Sequence, residues 1–372
     1  MTATTVDQGS ITVDPGAATV ERPTGREEAW RFTPLARLGG LLAGTAGSAS
    51  ALDIDVDVPA VVVVGTDGGT DDVHAAVLDP VDAPAWHAVA QAPNGLVLTV
   101  PPGSTPDRPI AVTLRGRSTA EPSYAHVRVD VQRGATAVLV LDHVGSSVTS
   151  AFVELLVGDG AHLSVVTVQE QGADGVLALR QAARIGRDGV YRHASLTIGG
   201  DLVRLVPTVA YAGPGGDAEL SGVFFTSDGQ HHESRLFVDH AQPQCRSRVA
   251  YKGALTGEAA HSVWIGDVLI RAEAVGTDTY EYNRNLVLTD GARADSVPNL
   301  EIETGEIVGA GHASATGRFD DEQLFYLMSR GIDEGEARRL VVRGFFAEVL
   351  DRVGAVVPEL TARLAARVEE LV

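Results

Sequence analysis

Histidine, carboxylate and thiol side chains crowd into one stretch of the chain, from His231-His232-Glu233 through Asp239-His240 to Cys245. Imidazole nitrogen, carboxylate oxygen and thiolate are ordinary transition-metal ligands, so the stretch holds enough donors for one ion. Its spacing matches no standard metal motif, however. Histidines that cap turns or lie on a solvated face explain it more simply. Cys245 is the only cysteine among 372 residues, which excludes an internal disulfide framework. A nucleophilic role would need a placed base, and His240 lies five residues earlier. A lone cysteine in a strand-rich segment is ordinarily a small core hydrophobe.

Other chemistries are absent from the sequence. No GxxxxGK[ST] loop cradles a phosphate, so no ATP site is expected on this chain. The Gly-rich stretch YAGPGGDAEL lies between strand-like segments and opens no helix, which argues against a dinucleotide fingerprint. There is no GxSxG elbow and no HExxH pair. Acidic residues outnumber basic ones 49 to 29, a formal charge of −20 that repels nucleic-acid backbones and anionic lipid. Neither nucleic acid nor membrane is an expected partner. Residues 1–20 lack the basic start and apolar stretch of a signal peptide, and no apolar run is long enough to span a bilayer. The expected compartment is the cytoplasm.

The elements that must carry any site are mostly strands. Residues 1–25, rich in Thr, Gly, Pro and Asp, read as a mobile tail. EEAWRF at 27–32 reads as a short helix or docking segment stopped by Pro34. From Asp53 to Pro122, Val-rich runs alternate with Gly, Pro and Asp turns, leaving little room for helices. Gly134, Gly160, Gly189 and Gly216 then each precede a strand-like run, at steps of 26, 29 and 27 residues. A strand set repeating at such a period is the signature of a solenoid, in which each coil buries its apolar face on the next. A β-sandwich would give turns at closer spacing, typically every 8–12 residues. After Arg318 the pattern turns helical. Asp320 with Gln323, and Asp333 with Glu336, form capping pairs. Ala337, Leu340, Val341, Gly344, Phe345 and Val349 share one helical face, and Leu360, Leu364, Val368 and Leu371 make a further stripe. The expected organisation is a tail (1–25), an N-terminal segment of helix and short strands (26–125), a mainly β, parallel β-helix core (126–317) and a C-terminal helical subdomain (318–372).

Three blocks carry a more specific signal: HHESRLFVDHAQPQCRSRVAYKGAL, TDTYEYNRNLVLTDGARADSVPNLEIE and GHASATGRFDDEQLFYLMSRGIDEGEARRLVVRGFFAEVL. In that order, NRNL, P-x-LEI, H-x-x-A-T-G and FYL-x-SRGI resemble the SufB/SufD family of iron–sulfur cluster assembly scaffolds. EEAWRFT at 27–33 resembles that family's N-terminal segment more weakly. The resemblance implies a right-handed parallel β-helix flanked by helical regions, a paired SufB-like subunit and a SufC-like ATPase that hydrolyses the ATP. It implies cluster assembly at the junction of two β-helices, strained or opened when the ATPases dimerise. It also implies a reduced flavin in some complexes, for which the sequence locates no site, and a homodimer as an alternative assembly of the isolated chain. A cluster normally takes four thiolates, so one on this chain is transient and shared with a partner.

Within the family, the absence of cysteine between Gly291 and Gly311, and Ala313 after His312, favour the SufD type. SufD relatives often carry a cysteine two residues before this histidine, where Ala310 stands here. By resemblance, His312 is the candidate iron or cluster ligand at the SufB-facing junction, and Cys245 a weaker one. No catalytic residue is expected. The FYL-x-SRGI block makes Phe325, Tyr326, Leu327, Arg330 and Gly331 candidates for ATPase contact. Two other functions fit a β-helix: a carbohydrate-active lyase or hydrolase, commonly exported, and a purely structural stabiliser of SufB.

Overall fold

In the computed structural model, which describes residues 22–67, 78–319 and 321–371, the chain winds as a β-solenoid of about eight turns with a C-terminal helical part. Each coil gives one strand to each of two facing nine-stranded sheets. The first sheet holds β1 (Leu52–Asp57), β4 (Ile110–Gly116), β6 (Thr136–Gly145), β8 (His162–Gln171), β10 (Val190–Gly199), β12 (Asp217–Thr226), β14 (Arg246–Leu255), β16 (Asp278–Val287) and β18 (Gly309–Arg318). The second holds β2 (Val63–Asp67), β3 (Gly95–Val100), β5 (Pro122–Val131), β7 (Val148–Val157), β9 (Val176–Ile185), β11 (Leu202–Tyr211), β13 (His231–His240), β15 (His261–Ile270) and β17 (Arg293–Ile302). Pairing is antiparallel only for β1 on β4 and β2 on β3, and parallel from there to β18. The parallel coils therefore begin upstream of residue 126.

Period-two alternation sends half of each strand into the lumen between the sheets. Leu139 and Leu141 of β6 join Val153 and Leu155 of β7 in one continuous core that runs through most coils. At the turns, Gly134 and Gly160 take φ of +65° and +64°, where a side chain would be strained. Their N–H groups donate to the carbonyls of Asp159 and Arg187 on the following coil, so each turn also stacks on the next. At the next two turns of the repeat the positive φ falls one residue before Gly189 and Gly216, on Asp188 (+54°) and Gly215 (+76°).

The outer faces are covered as well. On the second sheet lie the N-terminal turns (Glu28–Trp30 and Leu35–Leu38), α1 (Gly40–Ala43) and α2 (Ala83–Gln91). The C-terminal part opens with α3 (Asp321–Ser329). Against the first sheet pack α4 (Glu334–Val356) and α5 (Pro358–Glu370), which bury Val166, Leu196, Val223 and Phe225. Burial on both faces is why the strands read as near-continuous apolar runs. Arg363 pairs with Asp142 and Glu170, Arg367 with Glu170, and Arg352 with Glu219, so ion pairs fix both helices to the coils.

Two local expectations change. Helix α2 stands where the sequence pattern leads one to expect strands and turns. Asp82 accepts the N–H of Ala85 as its cap, and Ala85 and Ala88 pack on Phe152. The buried stripe of α4 is Ala337, Val342, Phe346, Val349, Leu350 and Val353, so it is rotated from the expected face and leaves Leu340 exposed. That face packs with Leu196, Val223 and Phe225 of the first sheet and with Leu364 and Val368 of α5. The Asp333 cap is present, its carboxylate accepting from Glu336 N at 3.1 Å. The tail expected at 1–25 falls largely on residues 1–21, outside the described residues, as does Asp320 of the other capping pair.

Candidate functional site

The lumen changes character in its last two coils. On β16 the inward positions are Thr279, Glu281, Asn283 and Asn285, and on β18 their register partners are Ala310, His312, Ser314 and Thr316. Asn285 Nδ2 donates to Asn283 Oδ1 (2.7 Å) and Thr316 Oγ1 (3.3 Å). Across the lumen, Ser314 Oγ donates to Ser296 Oγ of β17 at 2.8 Å. Strands β17 and β18 are the last of their sheets, so their outer backbone edges pair with no strand among the described residues. The solenoid ends here open and polar.

His312 is exposed on β18, on the lumen-facing row. Directly beneath it lies Glu281, only 2% exposed, whose Oε1 has no hydrogen-bond partner. Burial, reinforced by the charge of Asp267, raises the Glu281 carboxyl to about 8, so near neutral pH it is held largely protonated. Its other oxygen reaches the opposite wall, where a methyl at Gly266 would collide with it and with the Trp264 ring. Glycine at 266 is therefore what admits the carboxyl. Trp264 Nε1 is also buried without a partner.

The histidine-rich stretch does not form a metal centre. It lies on β13, where alternation sends His232 and His240 inward and His231, Glu233 and Asp239 outward. His232 contacts Thr226 Oγ1 and the Gly199 carbonyl, and His240 contacts Ser247 Oγ. Burial lowers both imidazoles to about 4, so they stay neutral. On the outside, His231 lies between Glu233 (3.4 Å) and His261 (3.2 Å), and His261 meets Asp295 at 2.7 Å. Glu233 also pairs with Arg204 and accepts from Thr33 Oγ1, and Trp30 of the N-terminal segment stacks on Arg204. Burial alone would raise the Glu233 carboxyl, but Arg204 and His231 outweigh it and lower it to about 2. These side chains fasten the N-terminal segment. Among the described residues, no group of three or more His, Cys, Asp or Glu is arranged to hold a metal.

Cys245 is buried at the turn into β14, its thiol 3.5–3.6 Å from the carbonyls of Pro243 and Gly213. Burial pushes its pKa up, disfavouring the thiolate. The register places it two strands below β18, at the turn before the row that carries His312 begins. The structure does not bring these two residues together.

The third set of residues forms a surface. In α3, Leu324 is buried while Phe325 and Tyr326 are 74% and 57% exposed. Leu327 is half-buried, the Arg330 guanidinium stacks over the Tyr326 ring at 5.1 Å, and Gly331 turns the chain with φ +85°. Met328 and Leu340 are further exposed apolar side chains of these helices.

Glu281 is the site residue that motif spacing does not reveal. Its signal lies in the register: a carboxylate stands on the inward row where β6, β8, β12 and β14 carry Leu139, Val165, Leu220 and Val249.

Comparison with known proteins agrees with this architecture. Residues 114–345 match the family model described as SUF system FeS cluster assembly, SufBD core domain. An iron–sulfur cluster assembly SufBD family protein of Mycobacterium tuberculosis is 50% identical over 355 residues, covering 94% of this chain and 89% of the relative. The protein named iron–sulfur cluster assembly protein SufD of Escherichia coli is 24% identical over 88% of this chain and 85% of its own length. Its Bacillus subtilis namesake is 28% identical over 72% of this chain and 62% of its own length. No described helix is long and apolar enough to cross a membrane. With its two-sheeted parallel solenoid and its core-domain match, this chain belongs to the SufB/SufD family of iron–sulfur cluster assembly proteins.

Proposed function

We propose that the chain is a SufD-type, non-catalytic scaffold that joins a SufB-like subunit through its open β-helix end and a SufC-like ATPase through α3. The observation that carries this reading is the bare terminal coil, whose strand edges pair with no described strand and whose His312 stands exposed among small residues. An unpaired edge templates further strand pairing, and the family's role in cluster assembly suggests the kind of partner. A cluster or its iron would then be held between the chains, with His312 as this chain's nitrogen donor and thiolates from elsewhere. Any flavin would likewise belong to the assembled complex.

Two substitutions test the two surfaces separately. The N–H groups of Gly309 and Phe319 point back toward β16, so by alternation that of Ala310 faces the free edge. Ala310→Pro removes an edge donor where proline is tolerated, and is expected to abolish co-purification with the SufB-like subunit while circular dichroism stays unchanged. Phe325→Ser with Tyr326→Ser is expected to abolish ATPase pull-down only. Deleting all the helices would be a poor test, because α4 and α5 cover Val166, Val223 and Phe225. Undiminished capture of both partners by the respective variants would refute the assignment.

A further inference from the structure

We propose that Glu281 is the second protein ligand for a ferrous ion at the open end, bridged with His312 across β16 and β18. This deepens the reading above and rests on it for the role of His312. The two residues are register partners on the same face of neighbouring strands, whose backbones run about 4.8 Å apart. A carboxylate and an imidazole leaving one face at that spacing can converge on one cation, and ferrous iron accepts both donors.

The second observation is the state of Glu281 itself. A nearly fully buried carboxyl whose Oε1 meets no donor is costly unless something else offsets it. Among the described residues, no arginine, lysine or histidine forms an ion pair with it. On the opposite wall the space for its carboxyl is kept by Gly266, since a methyl there would displace it. Asp267, whose charge also acts on Glu281, points to the outer face and is engaged by Arg235 and Asn299. The lumen thus presents one uncommitted oxygen donor directly under one exposed nitrogen donor, with only the final coil between Glu281 and solvent. A dication there supplies the missing partner for Oε1. Ser296 and Ser314, bonded to one another, leave the remaining positions to water or to a partner chain.

The test uses the full chain and ferrous ion alone, titrated anaerobically by equilibrium dialysis, with Glu281→Gln and His312→Ala beside the parent. Glutamine is isosteric but cannot offer a carboxylate, and thermal melting shows that each variant is folded. Gly266→Ala serves as a third variant, which leaves both ligands in the sequence and displaces the carboxyl. One ferrous ion per parent chain is expected, with affinity weakened roughly tenfold or more in all three variants. Unchanged affinity in Glu281→Gln with loss in His312→Ala would overturn the role of Glu281 and leave that of His312 standing. Unchanged affinity in His312→Ala would overturn both. A parent chain that takes up no ferrous ion would overturn the two-ligand site, while cluster yield in the assembled complex would still judge the proposed function.

Discussion

The two ends of the lumen differ in what fills them. From β4 to β15 the interior is buried throughout, with Leu and Val packed beside polar side chains such as Thr167, Gln181 and Ser195. Its histidines, His143, His193, His232 and His240, are lowered to about 4 by burial. From β16 to β18 the same inward rows carry Glu281, Asn283, Asn285, His312 and Ser314, and the last two strands are half-buried or exposed. One construction rule produces both ends. A coil sandwiched between neighbours can bond the polar side chains it buries within the lumen, as Thr167 does with His193 and Gln181, whereas the terminal coil leaves His312 exposed.

The largest effect that would break this comparison is acid unfolding. The four closed-lumen histidines are neutral when folded, with pKa values below the unfolded value of about 6.5. A depressed folded pKa means stability that is fully present above the unfolded pKa and lost as pH falls through the folded one. At roughly 3 kcal/mol each as an upper figure, together they rival the whole stability of a domain. Urea melts should therefore weaken steeply as pH falls from 6.5 to about 4. A flat profile would show that keeping these four histidines neutral carries no stability.

Next in size is packing. Leu155→Ala in the closed lumen is expected to cost about 3 kcal/mol in urea denaturation. Thr316→Ala at the open end should cost under about 0.5 kcal/mol. Equal costs would show that the last coil is as integral as the middle ones.

A smaller effect concerns the helical cover. Lys252 is the chain's only lysine. It reaches Glu348 of α4 at 2.8 Å, and Glu348 also accepts from Tyr282 Oη. Lys252→Met should destabilise by only about 1 kcal/mol, because water screens the exposed glutamate side of the pair. Hydrogen exchange should show the loss as opening of α4, with the coils still protected.

What the sequence reveals of this molecule follows from the same contrast. The solenoid is legible because a coil repeats its turn chemistry, and Gly134 and Gly160 announce that turn. Helix α2 is hidden among strand-like runs. Its place depends on Ala85 and Ala88 packing over Phe152, a contact between residues far apart in the chain that no local spacing discloses. The donor-rich stretch on β13 misleads for the opposite reason. Five donors close in sequence are divided between two faces by a period of two. His312 is reached through a motif, whereas Glu281 becomes visible only when the register sets it beneath His312.

The most direct test of the central claim, that the open polar end serves cluster assembly, is the iron and acid-labile sulfide content of the complex co-expressed with a SufB-like subunit and a SufC-like ATPase. With His312→Ala, the expected result is an assembled complex of normal composition that has lost most of its cluster. A full cluster yield from that complex would contradict it and leave His312 a structural residue of the last coil.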